Sequence, residues 1–155
     1  MHFPIIKLSS DIADATERID LFDFSEDSLI QYHCDYFGED ISEEDRERYL
    51  VQLKNVFRGL ARVDVGQETI EFFSKEEILE TLRANYARLL GKLESRLNEG
   101  YMGLFSLRQS GFWYNDYQII FCVDGCTYTS GQFIEDCHYY AGQKFHIGNM
   151  LDAHC

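Results

Sequence analysis

One stretch of the chain, Ser74 to Leu97, has the length and the apolar spacing of a single long helix. Ser74 followed by Glu77 forms a capping box, in which hydroxyl and carboxylate satisfy backbone N–H groups at the helix start. Apolar residues then recur every three or four positions in one stripe, namely Ile78, Leu79, Leu82, Tyr86, Leu89, Leu90, Leu93 and Leu97. Such a helix spans about 35 Å, the width of a small domain. We therefore expect it to form one side of the core.

The other patterns predict a domain of the α+β class. Ser25 and Ser42 are candidate N-caps of two earlier helices, and Asp124-Gly125 between two β-prone runs suits a type I′ hairpin turn. We expect three main helices, at about 26–37, 43–59 and 75–97, packed on a small antiparallel β-sheet formed mostly by residues 103–130. A length of 155 residues with a single proline fits one domain covering residues 1–155.

Shorter segments complete this prediction. Residues 3–8 favour a short strand, and the alternation between Arg62 and Phe73 favours a hairpin. The acidic stretch 9–24 is expected to be a loop with one helical turn. Residues 131–141 have helical spacing and are expected to form a short helix, with a strand as the alternative. The tail is expected to end in Lys144-Phe-His-Ile and a polar close.

Negative charge is concentrated in one segment of the chain. The formal net charge is −13; residues 9–47 contain 14 acids and two bases, a net charge of −12, and the rest carries 13 acids and 12 bases. Apolar and aromatic residues are interspersed with these acids, so the segment should be folded and not a disordered tail. A solvated face that maintains solubility is the simplest interpretation of such a segment. A folded anionic face, however, also resembles a nucleic acid electrostatically and would compete for a basic nucleic-acid-binding channel.

This charge pattern favours an interaction protein over an enzyme. We expect an acidic inhibitor that binds and blocks a basic, nucleic-acid-handling protein, by physical analogy with anti-restriction proteins, anti-CRISPR proteins and immunity proteins. The candidate binding residues are Asp11, Asp14, Glu17, Asp20, Asp23, Glu26, Asp27, Glu39, Asp40, Glu43, Glu44 and Asp45, with Phe22, Tyr32 and Tyr36 as aromatic anchors. No catalytic motif of spaced Ser, His, Gly or Lys residues occurs, and no cofactor is expected.

The alternative is a small metal-binding regulator or enzyme that uses the C-terminal half. Its candidate ligands are Cys122, Cys126, Cys137, His138, His146, His154 and Cys155. Zinc sites usually present two pairs of closely spaced thiols, and only one such pair exists here, so we expect no metal. With five cysteines and no export signal at the N-terminus, reduced thiols and a cytoplasmic location are expected.

Direct nucleic-acid binding and membrane insertion are not expected. Only Arg108 and Lys144 are basic after residue 97, so the aromatic half lacks a path for phosphates. No window of about 18 apolar residues is present. The sequence leaves the oligomeric state open.

Overall fold

The chain folds into one mixed β-sheet with helices packed against it. The computed structural model describes residues 2–20, 36–98 and 119–154. In chain order the elements are β1 (His2–Ser9), α1 (Ile12–Thr16), β2 (Tyr36–Asp40), α2 (Glu43–Val56), β3 (Ala61–Asp64), β4 (Thr69–Phe72), α3 (Lys75–Leu97), β5 (Ile120–Val123), β6 (Cys126–Thr129), α4 (Ser130–Asp136), a 3-10 helix (Cys137–Tyr140) and β7 (Lys144–His154).

Strand β7 organises the sheet because three other strands pair with it. Strand β1 runs antiparallel along one edge of β7, from His146 to His154. The other edge of β7 pairs with β4 at residues 144–146 and with β2 at residues 151–154. The order along the sheet is β3-β4-β7-β1-β5-β6, with β2 beside β7. The pair β1–β5 is parallel, whereas the other described pairs are antiparallel.

The two faces of the sheet bury different sets of apolar side chains. The helix-covered face carries Ile6, Phe121 and Phe145, which pack in one core with residues of α2, α3 and α4. The second face carries a smaller cluster, which includes Ile5 and Leu151. Because side chains alternate along a strand, one sheet can serve both cores.

Aromatic side chains fill the centre of the helix-covered core. Phe133 of α4 lies against Phe57, Phe72 and Phe121, and the ring centroids of these four residues are 4.9 to 6.0 Å apart where they pair. All five of these pairs are tilted or edge-to-face, and the ring quadrupole favours such arrangements over face-to-face stacking. All four rings are buried, so this part of the aromatic content serves packing.

Several predicted elements are present at their expected positions. The helix predicted at 75–97 is α3, with the expected capping box: the Ser74 N–H donates to Glu77 Oε2 at 3.0 Å, and the Glu77 N–H donates to Ser74 Oγ at 3.3 Å. The hairpin around Asp124-Gly125 forms from β5 and β6, and both turn residues have positive φ, 50° and 75°, as a type I′ turn requires.

The predicted small antiparallel sheet is wrong. The sheet is large and mixed, and two of its central strands, β1 and β7, come from the two ends of the chain. Of the helix predicted at 26–37, residues 26–35 lie outside the described part of the chain, and residues 36–37 belong to strand β2. Within the proposed sheet segment 103–130, residues 103–118 likewise lie outside the described part.

The error at the C-terminal end has a physical cause. No strand is predicted after Lys144, yet this segment is strand β7, whose alternation of apolar and polar residues is interrupted. Opposite β1, Ile6 pairs with Met150 and Leu8 with Ile147, so two residues of β7 face a single residue of β1. This β-bulge shifts the alternation by one position and hides the strand period from the sequence.

The stripe of α3 leaves the core after its second turn. Ile78 and Leu82 are buried, whereas Leu90 is 59% exposed.

We expect Leu82→Ala to lower the free energy of unfolding by about 2–5 kcal/mol, because it opens a cavity in the core. The matched change Leu90→Ala should cost less than about 0.5 kcal/mol. Urea denaturation followed by circular dichroism measures both, and equal losses would contradict this division of the helix.

Candidate functional site

The first part of the acidic segment forms helix α1 and its flanks, and two of its acids hold that helix in place. The Ala13 N–H donates to Asp11 Oδ1 at 2.8 Å, so Asp11 is the N-cap. Asp14 lies 2.8 Å from Lys7 Nζ of β1. Hydrogen bonds from Lys7 and then Ser9 hold the pKa of Asp14 below its ordinary value. Both acids therefore stabilise the position of α1 as well as contributing negative charge.

Helix α1 lies directly on the bulge of β7. A Cβ added to Gly148 would meet the carbonyl oxygen of Ala15 at 1.8 Å and its carbonyl carbon at 2.5 Å. These are backbone atoms, which no side-chain rotation can move aside. Only glycine therefore permits this close approach of α1 to β7. The approach fixes the position of the acids on α1 and its flanks, which we call the first acidic group.

Asn149, the other bulge residue, joins the two described parts of the acidic segment. Its Oδ1 accepts from the Ile19 N–H at 3.1 Å, and its Nδ2 donates to Asp40 Oδ1 at 3.3 Å. Arg18 Nε lies 3.8 Å from the same Asp40 oxygen. One amide side chain thus links the segment after α1 to the end of β2.

Arg46 of α2 fills the gap that β4 and β2 leave along the edge of β7. Its Nη1 donates to the Gly148 carbonyl at 2.9 Å, and its Nη2 donates to the Ile147 carbonyl at 3.2 Å. The same guanidinium forms a two-point ion pair with Glu68, whose own carbonyl accepts from the Ile147 N–H at 2.8 Å. Arg46 therefore supplies donors where strand pairing is interrupted, and it ties α2 to the bulge.

The start of α2 carries the second acidic group. Ser42 is the N-cap, and Asp45 accepts from its hydroxyl at 2.8 Å and pairs with Arg48 at 2.8 Å. Glu43 and Glu44 are exposed in the first turn, where the helix dipole favours negative charge. We define the acidic surface as the exposed acids of both groups, which are Asp11, Asp14, Glu17, Asp20, Asp40, Glu43, Glu44 and Glu47.

The other predicted binding residues are not counted in the acidic surface. Phe22, Asp23, Glu26, Asp27 and Tyr32 lie outside the described part of the chain. Tyr36 and Glu39 belong to β2, where they pair with His154 and Asp152 of β7.

Three residues that matter for the geometry were missed by sequence reasoning. Lys7, Arg46 and Asn149 position the acids, yet none belongs to a motif. A signal was present in Gly148-Asn149, because a glycine inside an alternating apolar run often marks a bulge. The partners of Arg46 are about a hundred positions away in the chain, and no local pattern indicates them.

The described cysteines of the alternative metal site lie on two different faces of the sheet. Cys122 belongs to the cluster on the second face, whereas Cys137 is buried in the helix-covered core. Cys126 pairs with Val123 of that core and so points to the face opposite Cys122. In the described residues, no group of three or more His, Cys, Asp or Glu side chains could hold a metal ion.

Comparison with known proteins adds no relative. No protein-family model, curated protein or solved structure matches the chain. Within residues 2–20, 36–98 and 119–154, no helix has both the length and the apolarity that a membrane crossing needs.

The role assigned to Arg46 predicts that two arginines of the same helix, Arg46 and Arg48, contribute very differently to the free energy of unfolding. Arg46→Lys should lower the free energy of unfolding by about 1–3 kcal/mol, since one ammonium cannot reach Glu68 and both carbonyls in the same geometry. Arg48→Lys should change it by less than about 0.5 kcal/mol, because Arg48 is exposed and its ion pair with Asp45 lies on the surface of the same helix. Chemical denaturation compares the variants, and similar values for both would contradict the role of Arg46.

The contact between Gly148 and Ala15 predicts a local effect on α1. Gly148→Ala should destabilise the protein by about 1–3 kcal/mol and raise amide hydrogen exchange in α1, because the helix must move away from β7. Gly91→Ala is the control: an added Cβ meets nothing within 4 Å there, so it should be neutral or stabilise the helix by up to about 1 kcal/mol. Unchanged exchange in α1 of the Gly148 variant would show that the helix is not seated by this contact.

Proposed function

We propose that this protein is an acidic inhibitor that binds a basic, nucleic-acid-handling protein through the acidic surface and blocks its channel. The observation that supports this most directly is that both described parts of the acidic segment are held at one bulge of β7. Asn149 accepts from the Ile19 N–H and donates to Asp40, and Arg46 of α2 donates to the Gly148 carbonyl. A net charge of −12 in residues 9–47 accompanies this arrangement.

The acidic surface is mounted on rigid elements. Asp11 and Ser42 cap the two helices, while Gly148 and Arg46 hold those helices against β7. A preorganised array of charges loses little conformational entropy on binding, which is an advantage for an inhibitor. Acids one helical turn apart, such as Glu43 and Glu47, have Cβ atoms about 5–6 Å apart, a spacing comparable in scale to that of backbone phosphates.

A surface that serves solubility alone explains this arrangement less well. Concentrated like charges repel one another and destabilise the folded state, whereas evenly distributed charges would give the same solubility. Both described bases of the segment, Arg18 and Arg46, lie against Asp40 and Glu68. The exposed acids of α2 therefore keep a strong negative potential, as recognition of a basic channel requires.

The test compares two matched triple charge reversals. The first changes three acids of the acidic surface whose side chains make no capping hydrogen bond or ion pair among the described residues: Glu17, Glu43 and Glu47, each to Lys. The control changes three exposed acids of α3, of which two are four positions apart, as Glu43 and Glu47 are, and one lies in a first turn: Glu76, Glu80 and Glu94, each to Lys. Both variants change the net charge equally and keep the caps intact.

The partner is first captured from a lysate of the native host with the wild-type protein and identified. We expect it to be basic, to bind nucleic acid, and to lose that nucleic acid when the wild-type protein is added. Binding should weaken steeply with salt, because the screening length falls from about 10 Å at 0.1 M to about 3 Å at 1 M. The surface variant should bind at least tenfold more weakly than the control variant in calorimetric titration. Equal affinities of the two folded variants would contradict the proposal.

A further inference from the structure

A cavity of 380 Å³ lies on the second face of the sheet, where the parallel strands β1 and β5 end. The described residues that line it are Lys7, Asp14, Ile19, Asp20, Cys122, Asp124 and Gly125. Its volume falls within the range of sites for small organic groups, about 300–1,000 Å³. The carboxyl ends of neighbouring parallel strands are also a frequent location of binding sites in sheets that contain them.

The charges that line the cavity favour a cation. Three carboxylates and one ammonium line it, so negative charge exceeds positive by two. Lys7 does not reverse this balance, because its Nζ lies 2.8 Å from Asp14 Oδ1. Cys122 adds no negative charge, since burial raises the pKa of its thiol to about 12.

The cavity also has an apolar part, which favours an organic cation over a bare metal ion as its ligand. Ile19 and Cys122 are 7% and 5% exposed and contribute aliphatic and sulfur surface. A bare metal ion would gain nothing from that surface. An elongated organic cation can lay an aliphatic stem along it and keep its charged end near the carboxylates. Arginine and lysine side chains have this shape.

We propose that this cavity receives one basic side chain, an arginine or a lysine, of the partner protein. The inference depends on the proposed function, since Asp14 and Asp20 belong both to the cavity and to the acidic surface. A partner docked on that surface lies within reach of the cavity. A few buried anchors usually supply most of the specific binding energy, which exposed charges alone do not provide. The cavity offers one such anchor site beside the acidic surface.

The first experiment uses a small probe and needs no partner. N-acetyl-arginine methylamide is titrated into the isotope-labelled protein, and its neutral isostere N-acetyl-citrulline methylamide serves as the comparison. We expect the arginine probe to shift the amide signals of Ile19 and Gly125 in a saturable way, and the citrulline probe to have no such effect.

The variant Asp124→Asn tests the charge of the cavity without disturbing the turn. Asp124 has a φ of 50°, and asparagine adopts this conformation readily, so the hairpin should persist. The arginine probe should bind this variant about tenfold more weakly, because a charge-assisted hydrogen bond is lost. Glu80→Gln, which removes one exposed charge on α3, should leave the affinity of the probe unchanged. Absence of binding, or equal binding of the citrulline probe, would overturn the proposal.

The identified partner then separates this inference from the proposed function. Asp124 lies outside residues 9–47, so its substitution leaves the acidic surface intact. We expect Asp124→Asn to speed dissociation of the partner about tenfold and to change the association rate little. If the surface reversals weaken binding but Asp124→Asn does not, the anchor is wrong while the inhibitor function stands. If the surface reversals have no effect, the proposed function fails, whatever the probe shows.

Discussion

The interaction on which the rest of this structure depends is that of Arg46 with the edge of β7. Strands β4 and β2 leave a gap along that edge, and carbonyl groups within it have no strand partner. Buried carbonyls that lack a donor are costly, so an interrupted edge needs another source of hydrogen bonds. The guanidinium of Arg46 provides it for Ile147 and Gly148, and Glu68 neutralises the charge. As a result, β7 can pair with two strands on one edge and carry a bulge.

The bulge connects this interaction to function. Gly148 permits α1 to lie against the strand, and Asn149 connects the segment after α1 to the end of β2. Arg46 itself belongs to α2, whose first turn is acidic. The same few contacts that complete the sheet therefore hold α1, the end of β2 and the start of α2, which carry the acidic surface, at one bulge of β7. A cap, an ion pair and a glycine contact fix α1 in spite of the repulsion between its acids.

The acidic surface and the cavity beside it suit two different stages of recognition. Exposed charge acts over a distance and raises the rate of encounter with a basic partner, but it discriminates poorly among basic proteins. A partly apolar cavity lined by carboxylates acts only at contact, where it gives binding energy to one side chain in one position. Lys7 contributes to both the acidic surface and the cavity. Its ion pair with Asp14 holds α1 in position, and the lining of the cavity still carries a net negative charge.

The sequence by itself determined the elements whose causes are local. The capping box at Ser74, the stripe up to Leu82 and the Asp124-Gly125 turn each depend on residues within a few positions, and each is present as predicted. The excess of acids in residues 9–47 is also a property of the sequence alone. Only the tertiary structure decided the parallel pairing of β1 with β5, the central place of β7, and the contacts of Asn149 with Ile19 and Asp40. These features join residues that are far apart in the chain, and the bulge at Gly148 interrupts the alternation of β7, so local patterns do not specify which segments pair.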